Sequence, residues 1–141
     1  MARNSDKDKL EISHYILEHV PREAEVTRIE YEGPALSVYT KKPEVLVDQS
    51  NIVAEIVSVI RKRIVVRSDP SVRLPEAEAE KITRELIAPE AEITDINFDP
   101  SLGEIIIETK KPGLVIGRNG AVLQEIIKKT KWRPHVLRSP P

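Results

Sequence analysis

Apolar residues recur along this chain in two series, and each series predicts the same succession of elements. In the first, Ile12, Ile16 and Val20 stand at helical spacing through Leu10 to His19, and Pro21 stops the helix. Ile29 and Tyr31 then fall in phase on a strand. The turn Glu32-Gly33-Pro34 leads into a second strand containing Leu36 to Tyr39. A short helix after Pro43, a turn, a longer helix and the apolar strand Ile64-Val65-Val66 complete the series. The second series opens with Pro75 at a first-turn position. Glu76, Glu78 and Glu80 stand where the helix dipole favours acids, Ile82 and Leu86 share one face, and Pro89 ends the helix. Ile96 and Phe98 alternate on a strand, the turn Asp99 to Gly103 follows, and Ile105-Ile106-Ile107 form the next strand. A short helix after Pro112, a turn, a helix-patterned segment from Ala121 to Ile127 and the strand around Val136-Leu137 end the chain.

The likeness extends to the residues themselves, at a period of about seventy. Glu25-Val26-Thr27-Arg28-Ile29-Glu30-Tyr31 returns as Glu92-Ile93-Thr94-Asp95-Ile96-Asn97-Phe98. Tyr39-Thr40-Lys41-Lys42-Pro43 returns as Glu108-Thr109-Lys110-Lys111-Pro112, and Ile64-Val65-Val66-Arg67-Ser68-Asp69-Pro70 as His135-Val136-Leu137-Arg138-Ser139-Pro140-Pro141. Three matches in one order predict duplication of a small domain, too long for a solenoid repeat. Each unit reads α-β-β-α-α-β, a three-stranded sheet backed by helices, which is an α+β architecture. The units span residues 1–69 and 75–141, with 70–74 as a linker inside the polar stretch between Ser68 and Leu74. Because the linker is short, the units are expected to pack together.

Where the two units differ, chemistry enters. Unit two carries Gly117-Arg118-Asn119-Gly120 between an apolar run and a helix. Glycines without Cβ let a polyanion backbone approach, and the N-terminus of the following helix favours phosphate. Arg118 and Asn119 add a charged and a neutral donor. A Gly-x-x-Gly pattern alone also describes a simple turn, so its surroundings decide. Residues 71–108 hold three basic side chains against ten acidic ones, whereas residues 109–141 hold eight basic ones against Glu125 alone. Positive charge therefore gathers around the turn although the formal net charge is −1. A solvated basic helix face would carry the same residues. Unit one has Asp48-Gln49-Ser50-Asn51 at the equivalent place, which lacks glycine, puts Asp48 where phosphate would approach and offers helix N-cap residues. Unit one is thus expected to have lost the backbone grip, although Lys41, Lys42, Arg61, Lys62 and Arg63 could extend a basic track.

Composition narrows the remaining classes. The chain of 141 residues has no cysteine, which excludes disulfides and thiolate metal sites and suits a reducing compartment. No apolar run approaches membrane-spanning length and the N-terminus lacks an apolar signal core, so a soluble cytoplasmic protein with no membrane contact is expected. Aromatic residues make up 4% of the chain, too few for aromatic platforms to dominate base recognition. Enzyme chemistry finds no support. His14, His19 and His135 are the only histidines, His14 and His19 are poorly spaced for one helical face, and no nucleophile-plus-base constellation is present.

The order α-β-β-α-α-β, with Val115-Ile116-Gly117-Arg118-Asn119-Gly120 between two helices, resembles a type II KH domain. The resemblance covers residues 75–138 well, and residues 8–69 without the Gly-x-x-Gly. The tandem, the run Lys111-Pro112-Gly113-Leu114-Val115-Ile116-Gly117 and the ending Val136-Leu137-Arg138-Ser139-Pro140-Pro141 look like the N-terminal region of archaeal cleavage-and-polyadenylation-specificity-factor-like proteins. Those are β-CASP ribonucleases of the metallo-β-lactamase fold, implicated in RNA 3′-end formation and transcription termination. The resemblance implies that the chain binds single-stranded RNA and ends where a zinc-dependent nuclease would begin, so the chain itself needs no cofactor. It implies that Gly117 and Gly120 let RNA approach and that Arg118 and Asn119 contact phosphates. Val115, Ile116, Leu123, Ile126 and Val136 would line an apolar groove for about four unpaired bases, although each also suits the core. Lys110, Lys128, Lys131 and Arg133 would serve as outer phosphate contacts or stand merely exposed, and Trp132 would stack on a base or pack at a helix end. A preference for U-rich RNA comes from the resemblance alone. The competing expectation is a protein-interaction or dimerisation module that docks a nuclease, RNA polymerase or another processing factor.

Overall fold

A computed structural model of the chain describes residues 2–140, with side chains described from Asp8 onward; Met1 and Pro141, the outer ends of the two expected units, lie outside the described residues. The chain divides into two compact units, Met1–Val66 and Arg67–Pro141. In the first, α1 (Ala2–His19) precedes β1 (Val26–Glu32), β2 (Ala35–Thr40), α2 (Pro43–Asp48), α3 (Ser50–Ile60) and β3 (Ile64–Ser68), whose last two residues run past the division. In the second, α4 (Glu76–Leu86) precedes β4 (Ile93–Asp99), β5 (Glu104–Thr109), α5 (Pro112–Ile116), α6 (Ala121–Thr130) and β6 (Arg133–Arg138). Each sheet has three strands in sequence order, so the expected α+β units are present. The first two strands of each are antiparallel with matching registers, Tyr31 opposite Leu36 and Phe98 opposite Ile105, and β5 and β6 run parallel. Parallel neighbours need a crossover connection, and α5 and α6 supply it.

Each sheet is apolar toward its helices. Ile16, Leu36, Val38, Leu46 and Ile56 are buried in unit one, and Ile105, Ile107, Val115, Ile126 and Trp132 in unit two. Fully burying one such aliphatic side chain contributes about 1.5–3 kcal/mol relative to leaving it exposed. Trp132 meets Phe98 edge-on with ring centroids 4.9 Å apart, and its indole N–H donates to the Leu74 carbonyl at 2.8 Å. Packing, rather than an open stacking face, is therefore where Trp132 is committed.

The repeat is kept in fine detail. A short 3-10 turn precedes the first strand of each sheet and ends on a glutamate with positive φ, Glu25 (52°) or Glu92 (55°). The glutamate carbonyl accepts from Lys41 or Lys110, and its carboxylate pairs with Lys42 at 3.3 Å or Lys111 at 3.6 Å. At the end of the second strand a buried threonine hydroxyl, Thr40 or Thr109, donates to the carbonyl of Ala24 or Ala91 and accepts from the N–H of Lys42 or Lys111. Replacing Thr109 by isosteric valine leaves that carbonyl and that N–H without their hydroxyl partner. The expected cost is about 1–3 kcal/mol, read as a fall of roughly 5–15 °C in the melting midpoint of unit two.

Three boundaries differ from the sequence reading. Helix α1 begins at Ala2 rather than near Leu10, because nothing between them breaks a helix although no apolar periodicity announces one. Pro75 caps α4 from outside rather than opening its first turn. The boundary between units falls at Val66/Arg67, and residues 70–74 are held to unit two. Leu74 donates to the Thr130 carbonyl at 3.1 Å, and Arg73 donates to the Pro100 carbonyl at 2.8 Å.

Candidate nucleic-acid interface

Pro112 opens α5, whose missing N–H has no intrahelical partner to lose, and the helix runs only to Ile116. Gly117 then takes φ 78° and ψ 172°, a region that only glycine occupies readily. A Cβ there would lie 2.6 Å from Val122 Cγ2 and 2.9 Å from the Val122 backbone nitrogen. Asn119 (φ 55°, ψ 28°) and Gly120 (φ 74°, ψ 17°) are left-handed as well. Three positive-φ residues in four thus fold the turn back on itself and set α6 behind it. No side chain caps the N-terminus of α6. The Gly120 N–H donates to the Gly117 carbonyl at 3.2 Å and the Ala121 N–H to the Arg118 carbonyl, so the turn closes on its own backbone and the positive end of the helix dipole lies at it. A Cβ on Gly120 would meet nothing within 4 Å, which leaves that side open to an approaching ligand.

Arg118 and Asn119 are exposed on this turn, and neither side chain has a partner among the described residues. Lys110 after β5 and Lys128 on α6 are exposed, while Lys129 pairs with Glu125 at 3.7 Å. Lys131 is half-buried and left-handed, closing α6. Arg133 departs from the expected outer position. Its side chain is largely removed from water, and that burial lowers its pKa from the ordinary arginine value. Arg133 opens β6, and a guanidinium so buried is less available to a phosphate than an exposed one.

The five expected groove residues separate. Val115 and Ile126 are fully buried in the unit-two core, and Leu123 and Val136 are half-buried against it. Ile116 is 38% exposed, and its neighbour Leu114 and the strand residue Leu137 are exposed to a similar degree. Leu114 and Leu137 escaped the sequence reading because both lie in apolar runs, where nothing marks the residue that faces water.

Unit one takes another course at the equivalent junction. Helix α2 continues through Asp48, α3 begins at Ser50, and Gln49 alone (φ −102°, ψ 48°) lies between them. Neither Asp48, Ser50 nor Asn51 acts as the expected N-cap, because Gln49 occupies that position without a side-chain hydrogen bond. Without glycine the backbone stays at negative φ, and the helices nearly merge instead of opening a turn. Among the described residues no group of three or more histidine and carboxylate side chains is placed to hold a metal ion, and no helix is long and apolar enough to cross a membrane.

Comparison with known proteins agrees with this architecture. Residues 6–73 match the family described as "Transcription termination factor FttA, KH domain". The match falls on unit one, the unit without the Gly-x-x-Gly turn. Proteins named transcription termination factor FttA are similar along both units. The one from Pyrococcus abyssi is 50% identical over 143 residues, covering 100% of this chain and 22% of the relative. That from Thermococcus kodakarensis is 49% identical over 131 residues (93% of this chain, 20% of the relative), and that from Methanocaldococcus jannaschii 44% identical over 127 residues (89% and 20%). This chain therefore spans about a fifth of the length of the curated relatives it matches. Over residues 6–73 the chain is therefore similar to the KH domain described for transcription termination factor FttA, and the similarity to proteins of that name continues through unit two.

Proposed function

We propose that the chain is a single-stranded RNA-binding module of two type II KH units, and that unit two holds the RNA backbone. The observation that carries the reading is the turn itself. Gly117, Asn119 and Gly120 are at positive φ, the uncapped start of α6 lies behind them, and the unpartnered Arg118 and Asn119 side chains stand in front. The positive end of a helix dipole and two side-chain donors converge where a phosphodiester would sit. The exposed Leu114, Ile116 and Leu137 offer apolar surface to unpaired bases. The relatives' names support a role in transcription termination. The resemblance read from the sequence adds that the module would present RNA, with a U-rich 3′ end as the candidate substrate, to a metal-dependent β-CASP endoribonuclease in another part of the same protein. Zinc would belong to that part, and RNA polymerase is the partner that termination would require.

Fluorescence anisotropy of a labelled single-stranded RNA at two or more salt concentrations tests the reading. With Arg118, Lys110, Lys128 and Lys131 at phosphates, the slope of log K against log salt should be about −3, from roughly −0.7 per contact. A second reading, a protein-docking or dimer-forming module, draws on one observation: Leu10 (72% exposed), Leu17 and Val59 leave an apolar surface on the helices of unit one. That reading predicts weak or no RNA binding, and concentration-dependent association that is insensitive to salt.

A further inference from the structure

Unit one leaves one large aromatic open, and the repeat explains why. In unit two, Phe98 is covered edge-on by Trp132, which is only 4% exposed. Trp132 directly follows Lys131, the left-handed residue that closes α6. In unit one the left-handed residue that closes α3 is Arg61, and the residue directly after it is Lys62. A lysine therefore stands at the place of the tryptophan, and the ring beneath it, Tyr31, is 40% exposed. Lys62 Nζ lies 5.7 Å from the Tyr31 ring centroid, and Lys9 Nζ from α1 lies 5.8 Å from it.

The neighbouring charges favour an anion that carries a flat group. Tyr31 is paired with Leu36, whose N–H donates to the Arg63 carbonyl at 2.8 Å, so the run Arg61-Lys62-Arg63 adjoins the same end of the sheet. Arg61 and Arg63 are exposed. Two acids are near: Glu30 accepts from Lys9 at 3.3 Å, and Glu32 accepts from the Ser37 hydroxyl. A carboxylate ligand would use the cations and ignore the ring, and an apolar ligand would strip water from two ammonium groups without pairing with them. A nucleotide uses both: the two lysine side chains swing off the ring, its base takes their place on the aromatic face, and its phosphates pair with the displaced lysines and the neighbouring arginines.

We propose that Tyr31, Lys9 and Lys62 form a nucleotide-stacking site on unit one, which binds one unpaired base of the RNA without a glycine turn. The site rests on the reading of the chain as an RNA-binding module, and it gives the unit that lost the backbone grip a contact of its own. A phosphate seated here displaces Glu30 from Lys9, and the scarcity of aromatics limits the site to a single base.

The test uses the whole chain and a single-stranded RNA containing 5-iodouridine, which photo-crosslinks to a stacked aromatic side chain. Mass spectrometry should find the crosslink on Tyr31. In anisotropy titrations Tyr31→Leu should weaken binding about fivefold or more, the loss of one base stack. Lys62→Met, which keeps the aliphatic stem, should weaken it and flatten the salt dependence by about one contact. The melting midpoint of each variant is measured alongside. Should Tyr31→Leu lower it, Lys62→Met and the crosslink on the parent chain decide. Crosslinks confined to unit two, with both variants binding as the parent does, overturn the site and assign Tyr31 to packing or protein contact. In that case dependence on Arg118 and Asn119 would still stand. A parent chain that binds no RNA overturns this site and the proposed function together.

Discussion

Replacing Arg118 and Asn119 together by aspartate is expected to weaken single-stranded RNA binding about 100-fold while leaving unit two folded. Each residue offers donors at a turn where backbone phosphates would lie, and a hydrogen bond involving a charged group contributes about 1.5–3 kcal/mol. The variant removes those donors and adds two carboxylates facing the phosphates. Stability should hold for three reasons visible in the structure. Both side chains are exposed and have no partner among the described residues. Asn119 is left-handed, a conformation that aspartate also tolerates. Finally, negative charge just before α6 interacts favourably with the helix dipole. Anisotropy at fixed salt gives the affinity, and a thermal melt within a degree or two of the parent excludes unfolding. Equal affinity in variant and parent would place RNA elsewhere on the chain.

Much of this architecture was legible because it is written twice. The returns of Glu25–Tyr31 at Glu92–Phe98 and of Tyr39–Pro43 at Glu108–Pro112 turned weak local patterns into one unit, and the strands lie where alternation put them. Capping and tertiary packing were harder to read. Residues 2–9 carry no apolar stripe, so only the lack of a breaker hinted that α1 continues through them. Thr40 and Thr109 occupy matching places in the repeat, yet a threonine at a strand end does not reveal that its hydroxyl bridges a carbonyl and an amide. At the candidate site, glycine spacing marked the turn, but periodicity could not separate buried Val115 from exposed Ile116, its neighbour. The same limit hid the fate of the aromatic pair. Trp132 reads as packing or stacking in isolation, and only the fold shows that unit one has Lys62 in its place. Comparison of the two copies therefore carries the functional argument further than either copy alone: one copy keeps a positive-φ turn, and the other keeps helices that nearly merge.

The two glycines of that turn should fail in different ways when each becomes alanine. Gly117→Ala is expected to destabilise unit two by about 2–4 kcal/mol. Its φ of 78° with ψ of 172° is strained for any residue with a Cβ, and that Cβ would press on the Val122 side chain and, at 2.9 Å, on its backbone nitrogen. Val122 is in the first turn of α6 and packs against the core that holds Ile105, Ile126 and Trp132, so relief of the clash must shift the helix. Gly120→Ala meets no such obstacle. Its left-handed φ of 74° costs about 1–2 kcal/mol, and the added methyl faces open space. That space is where a phosphodiester would approach α6, so Gly120→Ala should remain folded at 25 °C yet bind RNA about tenfold more weakly, the loss of about 1.4 kcal/mol of close contact. Denaturant unfolding and anisotropy on the same two variants separate the roles. Gly117 then acts as the residue that lets the turn exist, and Gly120 as the one that lets a ligand reach it. If Gly120→Ala bound RNA as tightly as the parent, the backbone would not approach from that side, and the contact would have to rest on Arg118 and Asn119 alone.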